Sequence, residues 1–377
     1  MPNALPPPAA ANPPGFGEPA PFFTAETDGI ANYSIEVAAG RWIVLMVFGT
    51  LGAEACRVAH DKVLARRSLF NDADAAFYGV SVDMKDRFER GLANAPFGLR
   101  YFWDFDQKIS RLYGLVDGGH LRPAVFLIDR SFRIFAAEPI EATDAVLDRL
   151  EREIGAERRL EQSFYAPVLT LPRIFEPELC VALIDYFNAR EPSQSGFAAE
   201  VGGRTFDLVN PALKRRQDVT VDDAEMVASL KHKLETRLLP MVKRAFGWQA
   251  SEIERYLITR YSEHDQGFFS PHRDDVTAGT AHRKFAVTLN LNTGDYEGGE
   301  LRFPEFGRRT YQPPAGGATV FSCALLHEAT PVTKGVRYAF VPFLYDEAGA
   351  KLRRANLALV GEAQSGNRRE RRAHRRR

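Results

Sequence analysis

The chain has 377 residues, 45% of them hydrophobic and 26% charged, and its 49 basic side chains balance its 49 acidic ones. That length exceeds one ordinary core and predicts two domains plus tails, with the composition of a soluble globular protein. A net charge of zero excludes an overall pull of the body toward nucleic acid or an anionic membrane.

Residues 1–14 are rich in Pro and Ala and are expected to form a flexible leader; Met1 to Pro8 have neither the basic start nor the apolar core of a secretion signal. From 15 to 155 strands alternate with helices. Ile43 to Phe48 reads as a buried strand, far too short to span a bilayer, and Glu54 to Arg67 has helical spacing. Ala76 to Val82 is a second strand and Asp106 to Tyr113 a short helix. Pro123 to Asp129 and Phe132 to Ala136 make a strand pair, closed by an amphipathic helix from Ala142 to Ile154. Such alternation predicts an α/β sheet covered on its faces.

Gly17-Glu18-Pro19-Ala20-Pro21-Phe22-Phe23, Val44-Leu45-Met46-Val47-Phe48, Cys56 opening a helix, and Arg122-Pro123-Ala124-Val125-Phe126-Leu127-Ile128-Asp129 together resemble a peroxiredoxin of the thioredoxin-like fold. A cysteine in the first turn of a helix is placed where the helix dipole favours thiolate. The resemblance implies that Arg122 would stabilise it further, making Cys56 and Arg122 a candidate redox pair. Gly49 and Ala53 stand where the family has proline and threonine, so a hydroxyl that would orient peroxide is missing.

Past this domain, Pro167 to Leu171 reads as a strand and Glu176 to Asn188 as a helix with Pro177 at its start. Thr205 to Asn210 and Asp218 to Val221 look strand-like around the charged Lys214-Arg215-Arg216. Asp222 to Phe246 has one long helical periodicity, with Leu230, Leu234, Leu238, Leu239 and Val242 facing inward. Between Arg255 and Tyr345 short strands are punctuated by Gly, Pro, Asn and Asp, the pattern of a jelly roll.

Within that stretch, His272 and Asp274 are two residues apart, so on a strand both leave the same face, and His327 can complete a three-ligand set. Two imidazoles and a carboxylate on one side of an ion leave the opposite positions open, which suits non-haem Fe(II) and oxygen. Arg337, ten residues past His327, can carry a guanidinium to the far carboxylate of a dicarboxylate such as 2-oxoglutarate. His264 and His282 lie in polar, loop-like stretches and are expected to be exposed or locally bonded.

Arg260-Tyr261, the His-x-Asp pair, Phe285 to Asn292, Gly298-Gly299-Glu300-Leu301-Arg302-Phe303 and the segment from His327 to Arg337 follow the order and spacing of prolyl-4-hydroxylase-type, 2-oxoglutarate- and Fe(II)-dependent dioxygenases. This resemblance covers Tyr256 to Tyr345. It implies a double-stranded β-helix (jelly-roll) domain over 160–348, core 255–346, with supporting helices, behind the α/β domain of 15–155. It assigns His272, Asp274 and His327 to iron as catalytic ligands and Arg337 to 2-oxoglutarate, with Tyr261 and Asn290 lining the co-substrate pocket. The implied chemistry is hydroxylation of a C–H bond, with a prolyl residue of a protein or peptide as the analogy, O2 as oxidant, decarboxylation of 2-oxoglutarate to succinate, and L-ascorbate as helper.

Residues 353–377 are expected to be a disordered basic tail, since seven arginines fall in the last eleven residues and such an end can contact nucleic acid through counterion release. Three cysteines, Cys56, Cys180 and Cys323, are too few for a disulfide framework and point to a reducing, cytoplasmic compartment. Two other functions stay open on sequence grounds: a thiol peroxidase acting through Cys56, and a non-enzymatic redox or RNA-associated adaptor. The substrate and the oligomeric state are left open as well.

Overall fold

A computed structural model describes residues 12–27, 29–92, 97–159 and 164–361. They divide into two compact units, one made of residues up to 165 with 304–309, the other of 166–303 with the residues from 310 onward.

The first unit is built on a seven-stranded sheet in the order Ile30–Ser34, Thr24–Thr27, Leu99–Trp103, Ala75–Ser81, Trp42–Gly49, Ala124–Ile128, Ile134–Pro139. Trp42–Gly49 and Ala75–Ser81 run parallel, which requires a crossover, and the helix Glu54–Ala65 supplies it. Every residue of both strands is buried, as expected for a sheet covered on two faces. One face carries Val44, Met46, Phe48, Phe77 and Leu127 against Cys56, Ala59 and Val63 of that helix and Val146, Leu147 and Leu150 of Thr143–Arg159. The thioredoxin-like α/β expectation is borne out. Three strands of this sheet went unread in the sequence: Thr24–Thr27, Ile30–Ser34 and Leu99–Trp103.

The second unit is the expected jelly roll. Its larger sheet has the order Leu169–Leu171, Ala318–Ser322, Phe285–Asn290, Val332–Phe340, Leu257–Ser262, Gln217–Thr220, Ser193–Gln194; its smaller sheet runs Lys214–Arg215, Phe268–His272, His327–Ala329, Leu301–Arg302, Thr310–Tyr311. Side-chain alternation gives the larger sheet two different faces. Ile258, Val287, Leu289, Val320 and Phe340 turn outward to the helices, against Leu183, Phe187, Leu230, Leu234, Leu238 and Val242. The residues between them, Tyr261, Asn290, Phe321 and Arg337, are also buried and leave the opposite face, toward the smaller sheet.

Two readings of this region need correcting. The single helix expected over Asp222 to Phe246 is Ala224–Lys233 and Leu239–Phe246 joined by a π-helical turn, Leu234–Leu238, in which Leu239 donates to the carbonyl of Leu234. Pro240 has no N–H to continue the α ladder, and the wider turn absorbs the missing donor. Residues 353–361, expected to lie in a disordered tail, are structured. Glu347–Asn356 is a helix whose N-cap Asp346 accepts from the Gly349 amide; Arg353 donates to the Tyr345 hydroxyl, Asn356 to the Ala278 carbonyl, and Val360 bridges to Thr205. Pro14, placed in the leader, is buried. The rest of the leader before residue 12 and the basic run after 361 lie outside the described residues.

Candidate metal centre

Phe268–His272 and His327–Ala329 are antiparallel neighbours, and His272 pairs directly with His327. A bulge between Phe269 and His272 adds an extra step to the first strand, so both of these side chains face the interior although they are three residues apart. The strand ends at His272 and the chain turns; the Asp274 amide donates to the Cys323 carbonyl at 3.0 Å, which holds its side chain beside the two imidazoles. One ligand atom from each of His272, Asp274 and His327 lies within 4.8 Å of the others. Asp274 oxygens are 3.6 Å from His272 Nε2 and 3.3 Å from His327 Nε2.

The protonation of this group follows from its partners. His272 Nδ1 is 2.8 Å from the Ser270 carbonyl and His327 Nδ1 is 3.0 Å from the Leu325 carbonyl. A carbonyl only accepts, so each Nδ1 carries a hydrogen, and in the neutral ring Nε2 is the atom left to present a lone pair to a metal ion. Burial first, and then the neighbouring His327, push His272 down to about 4, so it is neutral at pH 7. Three acceptors aimed at one another repel unless a cation lies between them, and the backbone bonds to both Nδ1 atoms are the outer contacts that orient metal-binding histidines. The donor set therefore fits Fe(II).

Aromatic rings enclose the group. Phe269 stacks on His272 with ring centroids 3.5 Å apart, and Phe321 lies 4.6 Å from His327 edge-on. Phe269 belongs to a cluster with Tyr261, Ala329 and Val332, which ties this wall to the larger sheet. There Tyr261 pairs in register with Arg337, whose guanidinium sits 5.2 Å from the Tyr261 ring centre. Arg337 is 3% exposed and donates through Nη2 to Asn290 Oδ1 at 3.0 Å. Its buried Nε has no hydrogen-bond partner, and no carboxylate of the described residues pairs with it. A buried cation held by one amide oxygen is arranged to receive an anion.

Gly299 makes room for this arginine. A Cβ built on it would lie 2.8 Å from Val332 Cγ2 and 3.0 Å from Arg337 Cδ, and its φ of +67° is one that other residues adopt only with strain. Gly299→Ala is expected to cost roughly 1–3 kcal/mol of stability and to weaken 2-oxoglutarate binding by displacing Arg337, checked by denaturant unfolding and the KM for 2-oxoglutarate.

Of the remaining histidines, His264 is exposed, while His282 is 2% exposed and bonds Glu254 through Nε2 at 2.8 Å. Sequence reasoning missed the interior role of Lys214 and Arg216. It took Lys214-Arg215-Arg216 as a charged connection, yet Lys214 and Arg216 are 3% and 5% exposed. Their spacing of two was the available signal, because on a strand it puts both on one face.

Cys56 and Arg122 differ in burial, and no hydrogen bond is seen between them among the described residues. The Arg122 side chain is exposed, whereas Cys56 is buried, and burial pushes its thiol up, helped by the negative charges of Glu141 and Asp86. The loop before Cys56 is braced by buried Asp86, which accepts from the Leu51 amide and from Ser81 Oγ at 2.6 Å. A raised thiol pKa lowers the thiolate fraction at pH 7. Alkylation of Cys56 by iodoacetamide is therefore expected to be slower than that of a free thiol and to rise only at more alkaline pH; mass spectrometry after timed labelling checks this.

Comparison with known proteins agrees with this division. Residues 256–345 match the family model of the 2OG-Fe(II) oxygenase superfamily and residues 16–136 that of the AhpC/TSA family. The chain thus joins a segment similar to the 2OG-Fe(II) oxygenase superfamily to a preceding segment similar to the AhpC/TSA family. Among relatives, it is 29% identical over 151 residues to a PKHD-type hydroxylase of Maricaulis maris, covering 39% of this chain and 66% of that protein. It is 34% identical over 125 residues to a PKHD-type hydroxylase of a Synechococcus species, covering 30% and 54%. The chain therefore spans between about half and two thirds of the length of these relatives. Among solved structures, a Pseudomonas putida prolyl-4-hydroxylase aligns with a TM-score of 0.37 at 18% identity, over 48% of this chain and 93% of that one. No described helix is long and apolar enough to cross a membrane.

Proposed function

We propose that the protein is a 2-oxoglutarate- and Fe(II)-dependent dioxygenase that hydroxylates a C–H bond, with a prolyl residue of a protein or peptide as the first substrate class to test. The observation that carries this reading is the convergence of two Nε2 lone pairs and the Asp274 carboxylate, each imidazole locked by a backbone carbonyl. Iron bound there supplies oxygen activation coupled to decarboxylation of 2-oxoglutarate to succinate.

The chain's own residues do the rest. His272, Asp274 and His327 hold the ion on one side and leave the other side open to co-substrate. Arg337 grips the distal carboxylate of 2-oxoglutarate, with Asn290 fixing the guanidinium and Tyr261 forming the floor beneath it. Phe269, Phe321 and Phe303 exclude water around the imidazoles, which strengthens each charge contact inside. L-ascorbate, a reductant that keeps iron ferrous, is the proposed helper, and a reducing cytoplasm suits both the iron and the three buried, unpaired cysteines.

The hydroxylase names of the relatives favour this reading over the two others. A peroxidase would need an activated Cys56, and its surroundings act against thiolate. An adaptor would rest on the basic tail, including any contact with nucleic acid, and that tail lies outside the described residues. The test is succinate formation from 2-oxoglutarate with Fe(II) and a proline-containing peptide. A product peptide 16 Da heavier, lost on chelation, supports the proposal; peptide-stimulated turnover that persists in chelator overturns it.

A further inference from the structure

Lys214 is a buried ammonium that the mechanism above does not use. It lies on the strand Lys214–Arg215, paired in register with Phe269, so its side chain leaves the same face as the Phe269 ring. Its Nζ stands 4.3 Å from the centre of that ring, and the same ring stacks on the ligand imidazole of His272. One aromatic ring thus separates the ammonium from the candidate metal centre.

The surroundings compensate this charge only in part, because Asp218 and Asp207 attract it but neither forms an ion pair with it. An ammonium has three N–H donors, and Lys214 uses one, on the Gly196 carbonyl. The nearby carboxylate, Asp218, is engaged by Arg216 at 2.7 Å and by Ser195 Oγ at 2.6 Å. Among the described residues no carboxylate forms an ion pair with Lys214, although it is only 3% exposed. Burying an unpaired charge is costly, and burial accordingly drives the Lys214 amine well below its ordinary range. Arg216 and Arg255 add repulsion. A neutral carbonyl does little to restore the charge that burial disfavours, whereas a carboxylate beside the amine would both favour the ammonium and pair with it.

We propose that Lys214 is a substrate-specificity residue that binds a carboxylate of the molecule being hydroxylated, beside the Phe269 ring that stacks on His272 and apart from Arg337, which takes 2-oxoglutarate. The inference rests on the dioxygenase reading. It narrows the substrate to one that carries a carboxylate near the reacting C–H bond, either a free α-carboxylate or an acidic side chain. Phe269 serves as the shared wall between that carboxylate and the metal ligands.

The experiment uses the full chain loaded with Mn(II) and 2-oxoglutarate, so that binding is measured without turnover. Calorimetric titrations compare N-acetylproline with N-acetylprolinamide, for an α-carboxylate, and N-acetylaspartate N-methylamide with the asparagine counterpart, for a side chain. In the unaltered protein one carboxylate probe is expected to bind about tenfold or more tighter than its neutral partner, the scale of a hydrogen bond to a charged group. Lys214→Met should erase that difference and Lys214→Arg should keep part of it, with 2-oxoglutarate affinity unchanged in both as the sign of an intact fold. The proposal is overturned if neither pair shows a difference in the unaltered protein, or if the difference survives in Lys214→Met. Failure of the dioxygenase reading is distinguishable, because 2-oxoglutarate itself would then not bind the Mn(II)-loaded chain.

Discussion

Asp274→Ala is expected to lower Fe(II)-dependent conversion of 2-oxoglutarate to succinate by about 10³-fold or more, since removing even a group behind a metal ligand costs about 10–100-fold and this removes a ligand itself. The loss should appear as weaker metal binding and not as unfolding. Asp274 reaches its place through a backbone bond to the Cys323 carbonyl that the substitution leaves intact, and the two imidazoles keep their bonds to Ser270 and Leu325. With alanine there, two neutral nitrogens face the ion without the only negative charge in the set. His272→Ala should behave in the same way. Circular dichroism and calorimetric Fe(II) or Mn(II) titration check both parts, and full turnover in either variant would remove the iron site from the account.

Arg337→Met separates co-substrate binding from metal binding. The guanidinium is buried, pairs with no carboxylate among the described residues, donates to Asn290 and lies by the Tyr261 ring. Truncating one partner of a buried charge pair costs roughly 2–5 kcal/mol, so the KM for 2-oxoglutarate should rise by about 10²-fold. Metal affinity should stay the same, because the arginine touches none of the three ligands. Arg337→Lys should fall between the two, keeping charge but losing the planar fork that meets a carboxylate with two parallel bonds. Steady-state kinetics over a range of 2-oxoglutarate, beside a metal titration, measure both terms.

What could be read from the sequence depended on how local the cause was. The residue types and order of His272, Asp274, His327 and Arg337 were legible in advance. The expected reason was not the actual one for Asp274: the strand ends at His272, and a turn held by the Cys323 carbonyl, not strand alternation, brings the carboxylate beside the imidazoles. The bulge that turns Phe269 and His272 to the same side was not legible, because it depends on pairing with a distant strand. Lys214 and Arg216 show the same limit. A run of three cations reads as solvated surface until partners such as Phe269, Asp218 and the Gly196 carbonyl are brought to it by the fold. Leu99–Trp103 was missed because this short strand, apolar except for Arg100, lacks the alternation that marks one exposed face. Cys56 illustrates the opposite error: its place in the first turn of a helix was read correctly, but whether a thiol ionises depends on burial and on the charges around it, which its spacing does not report.

The convergence of His272, Asp274 and His327 on one ion is tested most directly by anomalous diffraction from crystals of the protein grown anaerobically with Fe(II) and 2-oxoglutarate. The account predicts a single strong iron peak bonded to both Nε2 atoms and an Asp274 oxygen, with the far carboxylate of 2-oxoglutarate against Arg337. An iron peak at other residues, or 2-oxoglutarate bound with its distal carboxylate away from Arg337, would contradict it.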